Sequence, residues 1–135
     1  MTGVQTNTEN PVTLHWRYSQ STGQMLTPDG GIIATGYSGR EGGLNDPADQ
    51  DIPNFGPIPR GSYTIGRAFS HPSCGPVAMR LEPDAGTDTH GRSGFLIHGD
   101  NSAMNHTASH GCIILPRAVR LTIDASDVRT LVVVA

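Results

Sequence analysis

Glycine and proline interrupt this chain so often that its regular elements must be short. Seventeen glycines and ten prolines make up a fifth of the 135 residues, and both residue types mark turns and loops. This share stays below the level at which low-complexity disorder becomes the expected outcome, and the net charge of −3 is small. The composition therefore predicts one turn-rich globular domain over residues 1–135.

The charge and hydropathy of the chain argue against two classes of partner. All nine basic residues are arginines, twelve acids outnumber them, and no basic run is present to neutralise a nucleic-acid backbone. The longest apolar stretch, Leu131–Ala135, is far shorter than the ~18 to 20 residues that span a bilayer. The sequence therefore predicts neither nucleic-acid binding nor membrane insertion.

The first residues lack the features of a secretory signal. Met1–Pro11 contains no arginine or lysine and no apolar core, and a signal peptide needs both a basic and an apolar region. We therefore expect a protein made in the cytoplasm. If it acts elsewhere, a route other than general export must carry it there.

Alternating apolar residues and β-branched residues predict a mainly β fold with one short helix. The expected strands are Val12–Tyr18, Gln24–Thr27, Ile32–Tyr37, Ser62–Ala68, Val77–Leu81, Gly94–His98 and Leu131–Val134. A loop of 22 residues separates the third strand from the fourth, from Ser38 to Pro59, and loops of this length are usually functional or mobile. Pro116 suits the first turn of a helix that runs to about Ala125. Three aromatic residues are expected in the core, namely Trp16, Tyr18 and Phe95.

Most of the residues that could carry chemistry are crowded into one stretch. Four of the six histidines and one of the two cysteines lie between His90 and Cys112. A strand that ends at His98 and another that begins at Cys112 would be joined by a 13-residue connection able to fold back on itself. An imidazole beside a thiol raises the fraction of thiolate, which is the nucleophilic form. The pattern predicts a nucleophilic cysteine with a histidine partner.

The residues just before Cys112 suit the same chemistry. Gly111 has no Cβ, so a substrate carbonyl can approach closely and backbone N–H groups can converge on one point, as an oxyanion hole requires. On an extended strand His110 and Cys112 share a face. His110 is therefore available as a second acid/base group or as an electrostatic partner.

Three other interpretations remain open. His98, His106, His110 and Cys112 are all residue types that bind zinc, and His106 and His110 are four residues apart, although the paired Cys-x-x-Cys spacing of a structural zinc site is missing. Cys74 could form a disulfide with Cys112 that blocks the thiol until it is reduced. The chain could also be a binding module that holds its ligand unchanged. We expect a metal-free site without a cofactor.

Two segments resemble a known family. Ile97-His98-Gly99, followed by Ser109-His110-Gly111-Cys112-Ile113, resembles the signature of the L,D-transpeptidase catalytic domain: a His-Gly, a variable loop, then Ser/Thr-His-Gly-Cys and an apolar residue. Phe55–Gly66 resembles the Pro-x-Gly-x-Tyr segment of the same family, so the resemblance covers roughly Gly56 to Pro116. It implies an L,D-transpeptidase-like β-sandwich or barrel with one or two short helices.

Two departures point to one branch of this family. Only ten residues separate His98 from Ser109, fewer than is usual in the housekeeping enzymes, which implies a trimmed active-site loop. Ile114 stands where those enzymes commonly carry arginine or asparagine, which implies another way of holding the substrate. The chain is most similar to the small L,D-transpeptidase-like effectors delivered by type VI secretion. A housekeeping enzyme that forms 3-3 crosslinks is the alternative within the family.

The resemblance implies a reaction on the tetrapeptide stems of peptidoglycan. Cys112 would attack the carbonyl of the third stem residue, expel the terminal D-alanine and form a thioester. Water would then give carboxypeptidase activity, a free D-amino acid would give exchange, and a second stem amine would give a crosslink. As an antibacterial toxin the protein would act in the target periplasm, and a cognate immunity protein would cover the Cys112 cleft.

The resemblance also assigns roles to the neighbouring residues. His98 would be the general base, oriented by the backbone carbonyl of Gly99, while Ser109 would support the loop. His110 and the N–H groups of Gly111 and Cys112 would stabilise the oxyanion.

Two further candidates come from physical reasoning. Arg92, six residues before His98, could receive a stem carboxylate through a two-point contact and so replace the basic group missing at Ile114. The side chain of Asp100 shares a face with His98 on an extended chain and could orient the imidazole.

Overall fold

The computed structural model describes residues 14–100 and 111–135. Ten short strands and one α-helix lie in these two ranges. They are β1 Trp16–Ser19, β2 Gln24–Leu26, β3 Ile32–Thr35, β4 Tyr37–Ser38, β5 Gly61–Ile65, β6 Phe69–His71, β7 Gly75–Pro83, β8 Leu96–His98, β9 Ile113–Ile114, α1 Arg117–Ala125 and β10 Thr130–Val134. The prediction of a mainly β fold with one short helix is confirmed.

The strands form one sheet in the order β3-β2-β1-β10-β5-β7-β8-β9-β4, and β6 pairs with β7 beside this path. Two neighbouring pairs are parallel, β1 with β10 and β8 with β9, whereas the other pairs are antiparallel. The two ends of the path, β3 and β4, are separated in sequence by Gly36 alone. Nine strands side by side in a flat sheet would span about 40 Å, so the sheet must curl until its two ends meet.

Gly36 divides what the sequence predicted as a single strand, Ile32–Tyr37. Its N–H donates to the carbonyl of Gly23 at 2.7 Å, and a Cβ at this position would collide with the carbonyl oxygen of Ile114. At Gly36 the chain therefore leaves β3, which pairs with β2 at one end of the sheet, and enters β4, which pairs with β9 at the other end. The prediction of a continuous strand was wrong because the backbone that crowds Gly36 is distant in sequence.

The core lies inside the curled sheet, where the strands turn alternate side chains inward. It includes the three aromatic residues predicted for it: Trp16, Tyr18 and Phe95 are all buried. The indole N–H of Trp16 donates to the carbonyl of Val128 at 3.1 Å, and Phe95 meets the ring of Tyr63 edge-on with centroids 5.9 Å apart. The prediction that these strand aromatics pack in the core is confirmed.

Several boundaries differ from the sequence prediction. The first strand runs from Trp16 to Ser19, and the predicted start at Val12 lies outside the described residues. The strand predicted over Ser62–Ala68 ends at Ile65, and a further strand, β6, follows it. β6 was missed because three residues are too few to show an alternating pattern. The long loop contains two 3₁₀ turns but no strand beyond Ser38, which belongs to β4.

The helix is fixed at both ends. Pro116 stands immediately before its first turn, as predicted, and the helix ends at Ala125. The guanidinium of Arg129 donates to the carbonyls of Ile123, Asp124 and Ser126, each at 3.1 Å, and to that of Gly66 at 2.6 Å. Arg129 thus donates hydrogen bonds to the carbonyls that lack partners at the end of the helix and links them to Gly66, the residue after β5. Within the described ranges no helix is long and apolar enough to cross a membrane.

Candidate active site

The parallel pair β8 and β9 places the predicted nucleophile and the predicted base on adjacent strands. Ile113 pairs with Ile97, and Ile114 pairs with His98. Cys112 directly precedes β9 and so lies level with Leu96. Because alternate residues of a strand share a face, Cys112 and His98 face the same side of the sheet, offset by two residues. The structure therefore places these two predicted site residues on the same face of neighbouring strands.

The imidazole of His98 is buried and has one orienting partner in its own backbone. Its Nδ1 lies 2.8 Å from the carbonyl oxygen of Gly99. A carbonyl oxygen only accepts, so in the neutral ring Nδ1 carries the hydrogen and Nε2 keeps its lone pair. The contact predicted between His98 and Gly99 is present, and it leaves Nε2 as the basic atom.

Burial lowers the pKa of His98, and the charges of Arg120 and His71 lower it further. The hydrogen bond to Gly99 and the charge of Asp100 oppose this shift. Because the pKa lies below the ordinary value of 6.5, the imidazole is neutral at pH 7. It can then accept a proton.

Cys112 lines a cleft of about 300 Å³. The other lining residues belong to two loops and to the start of the β8 segment, namely Pro53, Asn54, Gly91, Arg92, Ser93, Gly94, Phe95 and Gly111. Its Sγ lies 3.9 Å from the carbonyl oxygen of Gly94. The thiol is thus placed where a substrate carbonyl in the cleft can reach it.

The thiol is harder to ionise than the sequence predicted. Burial raises the pKa of Cys112 to about 11, and a backbone hydrogen bond from Leu96 and the charge of Arg92 oppose this only in part. We expected a nearby imidazole to increase the fraction of thiolate, but burial is the largest influence on the thiol and acts in the opposite direction. The resting pair is therefore a neutral thiol and a neutral imidazole, and the proton has to move during the attack.

Binding a substrate carboxylate would require the guanidinium of Arg92 to be exposed, but the structure buries it. It is only 7% exposed. Its Nη1 donates to the carbonyls of Gln50 and Pro57 at 2.6 and 2.8 Å, and Nη2 donates to that of Gly56 at 3.1 Å. Both Nη1 hydrogens are committed, so the end-on contact with a substrate carboxylate through Nη1 and Nη2 is unavailable. Arg92 is instead a buried cation beside Cys112.

Gly111 is held in a conformation that favours glycine. Its φ is +130°, and a Cβ would collide with Nη2 of Arg92. Its carbonyl accepts from the hydroxyl of Ser38 at 3.2 Å, and that hydroxyl accepts from the N–H of Ile58 at 2.9 Å. Because a peptide unit is planar and trans, Ser38 also sets the direction of the Cys112 N–H, which points away from it. Sequence reasoning missed Ser38, and no local signal marks it.

Asp100 does not orient His98 in the way that we predicted. The imidazole Nδ1 is taken by Gly99, and the carboxylate of Asp100 accepts from the hydroxyl of Tyr37 at 2.6 Å. Asp100 lines a second cavity, at the carboxyl ends of β8 and β9, whereas the Cys112 cleft lies at their amino ends. Its charge raises the pKa of His98.

Two residues that contact the site region were not anticipated. Arg120, on α1, is 8% exposed and donates to the carbonyls of Leu115, Pro76 and Val77 at 2.9 to 3.1 Å. Its guanidinium packs against Gly99, where a Cβ would lie 2.6 Å from Nη2. His71, the last residue of β6, accepts from the N–H groups of Ser73 and Cys74 through Nδ1.

The remaining predicted residues lie outside the described ranges. Ser109, His110 and His106 all fall in the segment 101–110, so their assigned roles stay predictions. Residues 14–100 and 111–135 contain no group of three or more His, Cys, Asp or Glu side chains that could hold a metal ion. Cys74 and Cys112 are both free thiols, and the disulfide that we considered is therefore not formed in this structure.

Comparison with known proteins adds two findings. Residues 32–134 match the family model of the Tlde1 domain. The fold is similar to that of the Ldtfm–avibactam carbamoyl enzyme, with a TM-score of 0.56 and 14% sequence identity. The match covers 93% of this chain but only 50% of that structure, and at this identity it shows the fold alone. No curated protein matches the chain.

Proposed function

The chain belongs to the Tlde1 domain family of L,D-transpeptidase-like type VI effectors, and we propose that it is a cysteine-dependent acyl transferase acting on the tetrapeptide stems of peptidoglycan. The observation that carries this proposal is the register of β8 and β9, which sets Cys112 and His98 on one face of adjacent strands. The Gly99 carbonyl fixes the imidazole in the tautomer that a general base requires.

The first step is attack of the Cys112 sulfur on the carbonyl carbon of the third stem residue. Because the thiol has a pKa of about 11, its proton leaves only as the C–S bond forms, and Nε2 of His98 receives it. Negative charge then develops on the carbonyl oxygen. The N–H groups of Gly111 and Cys112 and the buried cation of Arg92, all at the lining of the cleft, would stabilise this charge.

The second step releases the terminal residue of the stem. The tetrahedral intermediate collapses, the C–N bond to D-alanine breaks, and the proton on His98 passes to the departing amine. The product is a thioester between Cys112 and the tripeptide stem. The lowered pKa of His98 suits it to this step, since a weakly basic imidazole gives up its proton readily.

Mutation of the two cysteines tests the proposal. Disaccharide-tetrapeptide is incubated with the protein, and tripeptide product is measured by mass spectrometry. We expect Cys112→Ala to reduce product formation by at least about 10³-fold, because the nucleophile is lost. Cys74→Ala is the matched control, since it removes the other free thiol, and it should stay within about two-fold of the parent protein.

Activity that does not depend on Cys112 would support the zinc interpretation instead. Tripeptide formation that survives Cys112→Ala, resists iodoacetamide and stops with a strong chelator would show that a metal centre and not a thiol carries the reaction. His98→Asn adds an independent arm. It should lower the rate by at least about 10²-fold at pH 7, because the attacking thiol loses the proton acceptor proposed for it.

We also propose how the protein is used. The family suggests secretion, and a substrate in the cell wall implies action in the periplasm of a target bacterium. A cognate immunity protein would then block the reaction by covering the cleft at Cys112. A complex that protects the thiol from iodoacetamide tests this part. A bound partner that leaves the alkylation rate unchanged would show that it covers another surface.

A further inference from the structure

Ser38, the last residue of β4, is fully buried and takes no part in the steps described above. Its hydroxyl connects two distant stretches of backbone. The Ile58 N–H donates to Oγ at 2.9 Å, and Oγ donates to the carbonyl of Gly111 at 3.2 Å. An N–H only donates and a carbonyl only accepts, so the direction of both hydrogen bonds is fixed. Ser38 thus joins the end of the long loop to the residue before Cys112.

The backbone of Ser38 is itself held by two neighbours. It pairs with Ile113 of β9, which is the residue after Cys112. Its N–H donates to Oδ1 of Asn45 at 3.0 Å, and its carbonyl accepts from the Asn45 N–H at 2.9 Å. Because the backbone is fixed in this way and the side chain is buried, the hydroxyl has a defined position relative to Gly111.

Gly111 has a second contact that leads to the same loop. A Cβ at this position would collide with the guanidinium of Arg92, so the two groups are packed closely together. Arg92 donates to three backbone carbonyls in the segment 50–58, and the hydroxyl of Ser38 accepts from the last residue of that segment. Both neighbours of Gly111 are therefore tied to the long loop.

The peptide unit between Gly111 and Cys112 is planar and trans, so its C=O and its N–H point in opposite directions. The Ser38 hydroxyl holds the C=O and therefore sets the direction of the Cys112 N–H. This N–H is one of the two backbone donors proposed for the oxyanion, at the lining of the cleft. Such donors stabilise a transition state most when their direction is fixed before the reaction begins.

We propose that Ser38 is a positioning residue for acyl transfer, which holds the Cys112 N–H, through Gly111, in the direction that the oxyanion requires. This inference rests on the proposed function and deepens it. Ser38 is fully buried and is not among the described residues that line the cleft, so it acts through Gly111 and not on the substrate. Loss of the hydroxyl should therefore lower kcat and leave KM unchanged.

The test compares two reactions of the Cys112 sulfur that differ in their need for an oxyanion donor. Attack on a tetrapeptide carbonyl puts negative charge on oxygen, whereas alkylation by iodoacetamide displaces iodide from a saturated carbon. Tripeptide formation from disaccharide-tetrapeptide and alkylation of Cys112 are both followed by mass spectrometry. Ser38→Ala should lower kcat by about tenfold or more, with KM and the alkylation rate within about two-fold of the parent protein.

Ser19→Ala is the matched control. It removes the same atom from a serine of β1 whose Oγ donates to the carbonyl of Ala135 at 2.9 Å, and it should behave as the parent protein does in both reactions. Ser38→Thr keeps a hydroxyl at the buried position and should recover part of the kcat that Ser38→Ala loses.

A second pair of variants loosens Ser38 without removing its hydroxyl, which keeps the test valid where Ser38→Ala does not fold. Asn45 has a φ of +53°, a conformation that glycine adopts freely, so Asn45→Gly removes the acceptor of the Ser38 N–H without straining the backbone. It should lower kcat by about threefold with the alkylation rate unchanged. Asn45→Asp keeps an acceptor at this position and should lose less.

The outcomes separate this inference from the proposed function. A fall in kcat with unchanged alkylation would support the positioning role. A parallel fall of kcat and alkylation, a rise in KM alone, or an unchanged kcat would overturn it. Absence of any Cys112-dependent tripeptide from the parent protein would overturn the proposed function itself. Acylation of Cys112 by p-nitrophenyl acetate, which also forms an oxyanion, is then the reaction in which Ser38→Ala must show the same selective loss.

Discussion

Arg92 and Arg120 hold the two halves of the site in the same way, yet their charges have different consequences for the reaction. Each is buried, each donates to three backbone carbonyls, and each packs against a glycine next to a reacting residue. Arg92 lies beside Gly111 and Cys112, and Arg120 lies beside Gly99 and His98. Both cations favour loss of a proton from the neighbouring group. In the proposed reaction, easier loss of a proton assists Cys112 as the nucleophile, whereas it weakens His98 as the general base.

The difference shows what the fold requires of each residue. At Cys112 a positive charge offsets part of the cost of burying a thiolate. At His98 the positive charge adds to the larger effect of burial and lowers the pKa of the imidazole, which keeps Nε2 unprotonated at pH 7. The site thus begins neutral and separates charge only during the reaction. Substitutions at the two arginines, at the two glycines and at Asp100 test this difference between the two halves of the site.

The largest effect is expected at Arg92. Arg92→Met removes the donor of three backbone carbonyls and should lower the free energy of unfolding by about 3 kcal/mol. It should also raise the pKa of Cys112 further, because the cation that favours the thiolate is gone. Chemical denaturation and the pH dependence of iodoacetamide alkylation measure the two effects.

Arg92→Lys separates the two contributions of this residue. A lysine keeps the charge but cannot reach all three carbonyls, so the alkylation profile should stay near that of the parent protein while much of the stability is lost. Arg17→Met, at an exposed site on β1, is the control for stability. A loss of less than about 1 kcal/mol in Arg92→Met would mean that solvent satisfies the carbonyls instead.

Arg120→Met should destabilise the protein by about 2 to 3 kcal/mol for the same reason, but its effect on titration falls on His98. The arginine lowers the pKa of His98, so its removal raises this pKa. The imidazole then becomes protonated at a higher pH, and the acid limb of the kcat/KM profile moves to higher pH. NMR titration of His98 is the direct measurement, and an unchanged or lower pKa would contradict the comparison.

The two glycines should differ in their tolerance of alanine. Gly111→Ala meets Arg92 and also strains a backbone at φ +130°, whereas Gly99→Ala meets only the guanidinium of Arg120. We expect the first change to cost about 1 to 2 kcal/mol more than the second. Thermal unfolding of both variants checks the order, and equal costs would show that contact with the arginine decides the effect at both positions.

Asp100→Asn should give the smallest change, and its sign is opposite to that of Arg120→Met. Asp100 raises the pKa of His98, so the amide should lower it and move the acid limb of the kcat/KM profile to lower pH. Asparagine can still accept from the Tyr37 hydroxyl, which keeps the local structure. A shift to higher pH would show that Asp100 influences His98 through geometry and not through charge.

The sequence predicted those parts of the molecule that depend on local pattern. Strand positions follow from alternation, the helix follows from Pro116 and the residues after it, and the placement of His98 and Cys112 on neighbouring strands follows from the motif that contains them. The tautomer of His98 was also accessible, since its partner is the next residue. Apart from the motif of His98 and Cys112, which spans 14 positions, the determining residues lie within a few positions of one another.

Features set by distant parts of the chain could not be predicted in this way. Gly36 ends a strand because the Ile114 carbonyl lies against it. Arg92 is buried because carbonyls from the long loop surround it, and Arg120 looks like any helical arginine in the sequence. The raised pKa of Cys112 has the same origin, since burial is a property of the assembled fold and the motif contains no measure of it.

The curled sheet restricts how a peptide can be recognised at Cys112. β9 is hydrogen-bonded to β8 on one side and to β4 on the other, because the single-residue link at Gly36 brings β4 round to cover it. A stem peptide therefore cannot dock by adding a strand next to the nucleophile, as ligands of open-edged sheets do. Recognition at Cys112 has to come from the side chains and loop backbone that line its own cleft.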